Sequence, residues 1–358
     1  MAAIHQLIAG YTGGDAISNE AVVLRRIFRS WGYESDIFCE AKRILPQLRK
    51  DSRDTTGCAS AFGIDDVALL HLSIGSVVND VFATLKCRKV ILYHNITPPH
   101  FFALLQKQIG HSLETGLKQA AALAGSAGVT LADSRFNAGE LERMGYRDVK
   151  VLPLVLDKGL IHAQPDQRTL REYGKDKVNV LFVGRCVPNK KLEDLLLAFS
   201  CFQKTVEPEC RFLHAGSWGG LERYYHLLLA ITRDLGLRNA HFLGSVSPGG
   251  LSALYERADV FLCMSEHEGF CIPIIESMAR NVPVMAYAAA AVPETLDNAG
   301  ILFREKDFGM VAEMMGRVCN DKEFRNAVIR QQQLRVERYF DRNVESELKE
   351  LLAPVLAR

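Results

Sequence analysis

The sequence predicts an α/β protein built from two doubly wound parallel sheets, and three observations carry that prediction. Short apolar runs alternate with amphipathic stretches of helical period over residues 4–154, and the alternation restarts over residues 178–304. Between them Leu156–Lys177 is polar, with Pro165, Gly174 and alternating charges, and reads as a linker. The chain is 358 residues long, more than the ~250–300 residues that one hydrophobic core usually serves. The expected division is a first α/β domain over 1–157, a linker over 158–177, a second α/β domain over 178–340 and a last helix over 341–358.

The first half opens with an apolar strand, Ile4–Ala9, that runs into Gly10-Tyr11-Thr12-Gly13-Gly14. An amphipathic helix, about Ala16–Trp31, and a second strand, Tyr33–Phe38, follow. This β–glycine loop–α–β unit begins a doubly wound sheet. Its glycines fall at 10, 13 and 14, so it is not the G-x-G-x-x-G dinucleotide fingerprint. Val67–Leu72 and Lys89–Tyr93 read as buried strands with His71 and His94 at their C-terminal ends. Ligands of open α/β sheets sit outside those ends, so His94 stands where a site belongs. Glu114–Ala127 is Ala-rich and helical, and Val129–Ala132 is a strand closed by Asp133-Ser134. Ser134 suits the N-cap of a helix over Arg135–Met144, and Val149–Leu154 is the last strand of this half.

The second half repeats the alternation, with strands at Val178–Val183, Cys210–Ala215, His241–Leu243, Val260–Met264, Val282–Ala286 and Ile301–Phe303. Helices are expected at Leu192–Gln203, Leu221–Leu235, Leu251–Glu256 and Pro273–Arg280, then at Met310–Cys319, Phe324–Tyr339 and Val344–Leu356. The stretch Ser265–Ala279 holds the densest chemistry. It reads as an acidic loop with Gly269 between a strand and a helix, and Pro273 suits the first helical turn. Free backbone N–H groups there form an anion site, to which Phe270, Cys271 and Ile272 belong. Glu268 in the loop and Glu276 one turn into the helix would repel an anion unless each holds a donor of its own. Sugar and ribose hydroxyls are such donors, and a nucleotide-diphosphate sugar carries both together with the anion. Arg185 and Lys190, five residues apart beyond the strand Val178–Val183 and Gly184, add a forked donor and an ammonium.

Glu268, seven residues and Glu276, set in E-G-F-x-I-P-x-x-E-x-M-A, resemble the E-x7-E signature of retaining glycosyltransferases of the GT4 type. Gly184-Arg185, four residues and Lys190 resemble the same family's strand–G-R-x4-K–helix segment. Together the matches span most of residues 178–300. The resemblance implies the GT-B fold, in which two Rossmann-like domains face a cleft and the C-terminal helix crosses back to the first. It implies that the first domain serves the acceptor and the second binds the nucleotide sugar. Glu268, His94, Arg185 and Lys190 are then expected at the reaction centre, with His94 touching the donor sugar. Gly13, Gly14, Gly184, Arg185, Lys190, Phe270, Cys271, Ile272 and Glu276 are expected to bind the donor, although Gly13-Gly14 reads equally as a plain tight turn. Three positions depart from the family: Cys271 and Lys191 stand where glycine is usual, and Ala289-Ala290-Ala291 lacks the glycines that often precede Pro-Glu.

No D-x-D follows a strand, and His267-Glu268 has no second histidine at helical spacing, so neither a metal nor another cofactor is expected. The formal net charge of +1 gives no reason to expect nucleic acid. Nine cysteines without a CxxC pair argue for reduced thiols in the cytoplasm. No run of ~18 apolar residues suggests a membrane span, and the opening residues lack the charged and long apolar regions of a signal peptide. Arg25, Arg26 and Arg29 with Ile27, Phe28 and Trp31 leave two readings: a solvated helix face, or a basic-aromatic patch for peripheral contact with a membrane bearing a lipid-linked acceptor. The expected activity is transfer of a hexosyl group from GDP-mannose or a UDP-sugar to a glycan or lipid-linked acceptor. The alternatives are another sugar-nucleotide activity on this fold, such as an epimerase, or a catalytically silent binding subunit.

Overall fold

The computed structural model describes residues 2–157, 159 and 163–356, and the chain forms two compact units. The first takes in the residues up to His100, then Lys107–Asp157, and the stretch from Arg342 onward. The second takes in Phe101–Gln106 and the remaining chain to Asp341.

In the first unit the strands are β1 (Ile4–Ile8), β2 (Ile37–Cys39), β3 (Arg53–Asp54), β4 (Val67–Leu72), β5 (Arg88–Tyr93), β6 (Val129–Ala132) and β7 (Lys150–Val151). They lie in the order β3-β2-β1-β4-β5-β6-β7, all parallel. A parallel sheet is covered on both faces, so its strands are near-continuous apolar runs. Every residue of β1 and β4 is buried, and the exceptions to apolarity, His5, Gln6 and His71, therefore mark positions with polar partners inside. The helices are α1 (Ala16–Ser30), α2 (Val77–Thr84), α3 (Lys107–Ala122) and α4 (Arg135–Arg143). Asp15 caps α1 by accepting from Ser18 N at 2.9 Å, and Ala21, Leu24 and Phe28 form its buried stripe. Strand order reverses between β1 and β4, the position where open sheets hold ligands.

The second unit has helices α5 (Gln167–Glu172), α6 (Leu192–Thr205), α7 (Glu222–Asp234), α8 (Pro248–Arg257), α9 (Ile272–Ala279), α10 (Val292–Leu296), α11 (Phe308–Asn320) and α12 (Lys322–Phe340). Its strands are β8 (Val178–Val183), β9 (Cys210–Ala215), β10 (Ala240–Phe242), β11 (Val260–Cys263), β12 (Val284–Tyr287) and β13 (Ile301–Phe303). Their order, β10-β9-β8-β11-β12-β13, reverses between β8 and β11, so the loops after these two strands are neighbours. The last helix, α13 (Val344–Leu356), buries Leu348, Leu352 and Val355 in the first unit's core beside Val90, Leu92 and Leu131. Arg88 Nη1 donates to Val355 O at 2.8 Å and fixes its end.

Several elements differ from the sequence expectation. The helix expected over Glu114–Ala127 starts earlier, at Lys107, because it packs by Gly116 directly onto Gly75, where a Cβ would meet backbone at 2.3 Å. The strands expected over Tyr33–Phe38 and Val149–Leu154 shrink to Ile37–Cys39 and Lys150–Val151. Residues 158 and 160–162 of the expected linker lie outside the described residues. Further along that stretch the chain forms α5, capped by Asp166 on Thr169 N and anchored by buried Leu170.

On α1 the three arginines named in the sequence all have acidic partners. Arg25 is buried and paired with Asp51 at 2.7 Å, Arg26 pairs with Asp157 and Arg29 with Asp36. Phe28 is in the core and Trp31 packs against it, so α1 presents a paired polar face. No helix among the described residues is long and apolar enough to cross a membrane.

Candidate functional site

The loops after β8 and β11 bring the sequence-predicted groups of the second unit together. Gly184 closes β8 with φ of 150°, and a Cβ on the neighbouring Gly216 would meet its carbonyl oxygen at 1.8 Å. Only glycine allows the strand ends to approach this closely. The chain then makes one turn of 3₁₀ helix, Pro188–Lys190, before α6. Lys190 Nζ reaches Glu268 Oε1 at 2.6 Å, with their side chains 15% and 9% exposed. Burial opposes the Lys190 ammonium, and the Glu268 charge with the nearby Cys271 and Cys263 sulfurs outweighs it, so its pKa is raised. Arg185 is exposed at the same strand end and has no ion-pair partner among the described residues.

Glu268 sits in a loop held from several sides. Asn189 laces it to the β8 loop, donating Nδ2 to His267 O at 2.9 Å and accepting from Glu266 N at 2.9 Å. Lys306 binds both Asp194 (2.5 Å) and Glu266 (2.8 Å), and Thr295 Oγ1 donates to Phe270 O. Phe270 is buried against Tyr339. α9 then begins at Ile272 with Pro273 in its first turn and no side chain capping it. Its first N–H groups therefore have no partner within the helix, which leaves an anion-binding end. One turn in, Glu276 Oε2 accepts from the Tyr255 hydroxyl at 2.7 Å. Burial raises the Glu276 pKa, while Tyr255 and Arg280 pull it back down. Sequence reading missed Asn189, Tyr255, Thr295 and Lys306, which come from loops and helices scattered along the chain and carry no local motif.

The three departures from the family have a common backbone cause. Lys191, Cys271 and Ala290 all adopt positive φ, at 51°, 71° and 50°. Left-handed backbone costs an L-residue ~1–2 kcal/mol, and glycine gives back ~0.5–1 kcal/mol of that in chain entropy. Ala290→Gly therefore leaves stability equal or raises it by up to about 1 kcal/mol, a midpoint gain of about 2–4 °C for a unit this size. Calorimetric unfolding measures it, and a lower midpoint refutes the strain argument.

In the first unit Gly13 and Gly14 lie exposed between β1 and α1, Gly14 with φ of 89°, and nothing stands within 4 Å of a Cβ added at either. His94 follows β5 directly. Its side chain is 2% exposed, and both ring nitrogens are engaged: Nδ1 with Asp133 Oδ2 at 3.0 Å and Nε2 with His71 Nδ1 at 2.8 Å. The ring is part of a buried polar cluster. Burial opposes its charge, but Asp133 and Glu20 outweigh it and raise its pKa. His71 is lowered, first by burial and then by His94, and burial pushes Glu20 up to about 7. Ser134 is an N-cap, accepting from Asn137 N at 3.2 Å.

Among the described residues, two groups bring metal-ligating atoms within 4.8 Å of one another: Cys263, Glu268 and Cys271, and Glu20, His71 and His94. In the first, the Lys190 ammonium already occupies Glu268. The second is assembled from separate strands and a helix, beyond the reach of any local metal motif.

Residues 164–335 match the model of the family glycosyl transferases group 1. This part of the chain is similar to glycosyl transferases group 1. It contains Gly184, Arg185, Lys190, Phe270, Cys271 and both glutamates. The chain is 27% identical to O-antigen chain mannosyltransferase B of Escherichia coli over 146 residues, 40% of this chain and 38% of that protein. It is 31% identical to D-inositol 3-phosphate glycosyltransferase of Corynebacterium kroppenstedtii over 170 residues, 45% of this chain and 38% of that one. The chain thus spans less than half the length of these curated relatives. Among solved structures, Anabaena HepE in complex with UDP and glucose superposes with a TM-score of 0.77 over 98% of this chain and 99% of that one, at 18% identity. Two parallel sheets with alternating helices and this likeness identify the fold as GT-B.

Proposed function

We propose that the protein is a retaining glycosyltransferase that moves a hexosyl group from GDP-mannose or a UDP-sugar to a glycan or lipid-linked acceptor. The observation that carries the reading is the Lys190–Glu268 pair beside the uncapped start of α9, inside the matched family domain. A departing diphosphate needs cations and N–H donors aimed at charge that develops in the transition state. Lys190, Arg185 and the α9 N-terminus supply them, so the transfer needs no metal at the diphosphate. As the diphosphate takes Lys190, Glu268 is released toward the positive charge growing at the anomeric carbon. Glu276, with one oxygen on Tyr255, offers the other to the ribose hydroxyls. Relatives named as mannosyltransferase and glycosyltransferase, and a fold neighbour holding UDP, support a nucleotide-sugar donor.

The test is a thermal-shift panel of GDP-, UDP- and ADP-sugars followed by NMR of the product. A donor at 100 times its Kd stabilises by about 2.7 kcal/mol, a shift of several degrees. The product keeps the donor's anomeric configuration, and added Mg²⁺ or Mn²⁺ leaves the rate unchanged. An inverted product removes the retaining assignment. Stabilisation by a donor without turnover on any acceptor favours the silent binding subunit.

A further inference from the structure

We propose that the first unit carries a binding site for one divalent transition-metal ion of the zinc class, with Glu20, His71 and His94 as its ligands. The site lies at the C-terminal ends of the neighbouring strands β1, β4, β5 and β6 and is covered by α1. It is independent of the glycosyl-transfer reading.

Proton positions come first. Gln6 Nε2 donates to Ala21 O at 2.9 Å, which turns Gln6 Oε1 toward His71 Nε2, also at 2.9 Å. A carbonyl oxygen only accepts, so His71 Nε2 carries a hydrogen. Asp133 Oδ2, 3.0 Å from His94 Nδ1, fixes a hydrogen there by the same logic. The remaining nitrogens, His71 Nδ1 and His94 Nε2, then face each other across 2.8 Å, each with a lone pair when its ring is neutral. Something positive has to lie between them. Glu20 points the same way: Oε1 accepts from Val155 N at 2.8 Å, while buried Oε2 has no hydrogen-bond partner and lies 3.6 Å from His94 Nε2.

Charge decides what the positive group is. Glu20 and Asp133 are 0% and 2% exposed, and the positive charge that acts on Glu20 comes from His94 and, less strongly, from Arg342. Buried charges persist only when compensated. One bridging proton balances one carboxylate, whereas a dication balances both. Two imidazole nitrogens and a carboxylate oxygen, with a fourth position for water, form a ligand set that zinc commonly takes. Zinc–nitrogen bonds of ~2.0–2.1 Å in a tetrahedron set the nitrogens about 3.3 Å apart, so the rings need to part by about half an ångström. Ligating histidines usually donate their outer N–H to a carboxylate or carbonyl, and both rings already do so, to Asp133 and Gln6.

Metal content of the purified full chain, measured before and after treatment with a strong chelator, and titration with Zn²⁺ and Co²⁺ test the site. The expected result is uptake of one ion per chain, with cobalt bands of a four-coordinate nitrogen–oxygen site and a higher unfolding midpoint for the metal-loaded protein. Glu20→Gln and His71→Gln lose that uptake. If either variant fails to fold, the titration of the wild-type chain decides alone. Folded wild type that takes up no stoichiometric ion overturns the proposal. So does a sulfur-to-cobalt charge-transfer band, which would put the ion at Cys263 and Cys271.

Discussion

Replacing Arg185 with alanine lowers turnover by about 10²–10³-fold, the usual loss when one preorganised donor to a developing anion is removed. Arg185 is exposed and without an ion-pair partner among the described residues, so its loss changes folding stability by no more than about 0.5 kcal/mol. Lys190→Ala shows the same kinetic loss together with a second effect. It strands Glu268, a carboxylate 9% exposed whose Oε1 lies 2.6 Å from the ammonium. Breaking a buried pair from one side costs about 3–5 kcal/mol, a large share of the ~5–15 kcal/mol by which a domain is stable. The double variant Lys190→Met, Glu268→Gln recovers much of that stability and none of the turnover. Steady-state kinetics beside thermal unfolding separates the two effects. If Arg185→Ala keeps near-normal turnover with unchanged circular dichroism, neither cation acts on a diphosphate as argued.

The pair that matters most here was legible as residues but not as a pair. Lys190 and Glu268 each stand in a recognisable strand–loop–helix segment, yet they are 78 positions apart. Only the reversal of strand order, with β8 beside β11, brings their loops together. The glycine departures were legible in another sense, since a position where relatives use glycine is a hint of positive φ, and Lys191, Cys271 and Ala290 all have it. His94 shows the opposite limit. Its place at a strand end marked it as a site residue, and the partners that engage it come from β4, the residue after β6 and α1. A histidine in an apolar strand and a glutamate inside an amphipathic helix each look incidental until the fold joins them. The early start of α3 was hidden for a related reason: Gly110 and Gly116 weaken helix propensity, and a tertiary contact at Gly75 overrides it.

The two glutamates should separate cleanly when tested. Glu276 rides on α9 with Oε2 held by Tyr255 at 2.7 Å, so its other oxygen is oriented before any ligand arrives. A contact to the ribose is made equally in the ground and transition states, and losing it weakens binding without slowing the bound complex. Hydrogen bonds to a charged group contribute ~1.5–3 kcal/mol, so Glu276→Gln weakens binding of the bare nucleoside diphosphate by about 10–100-fold. Glu268 behaves differently because it is Lys190's own partner in the ligand-free chain. Glutamine at 268 no longer holds the ammonium by charge, and Lys190 turns to the diphosphate at less cost. Affinity for the diphosphate is therefore unchanged or tighter in Glu268→Gln, while kcat falls, because the carboxylate that offsets the cationic sugar is gone. Calorimetry with the diphosphate, set beside steady-state kinetics with the donor, reads both quantities. If the two variants lose diphosphate affinity to the same degree, the carboxylates do not divide the ligand as argued here, and the exchange of Lys190 between Glu268 and the diphosphate is wrong with it.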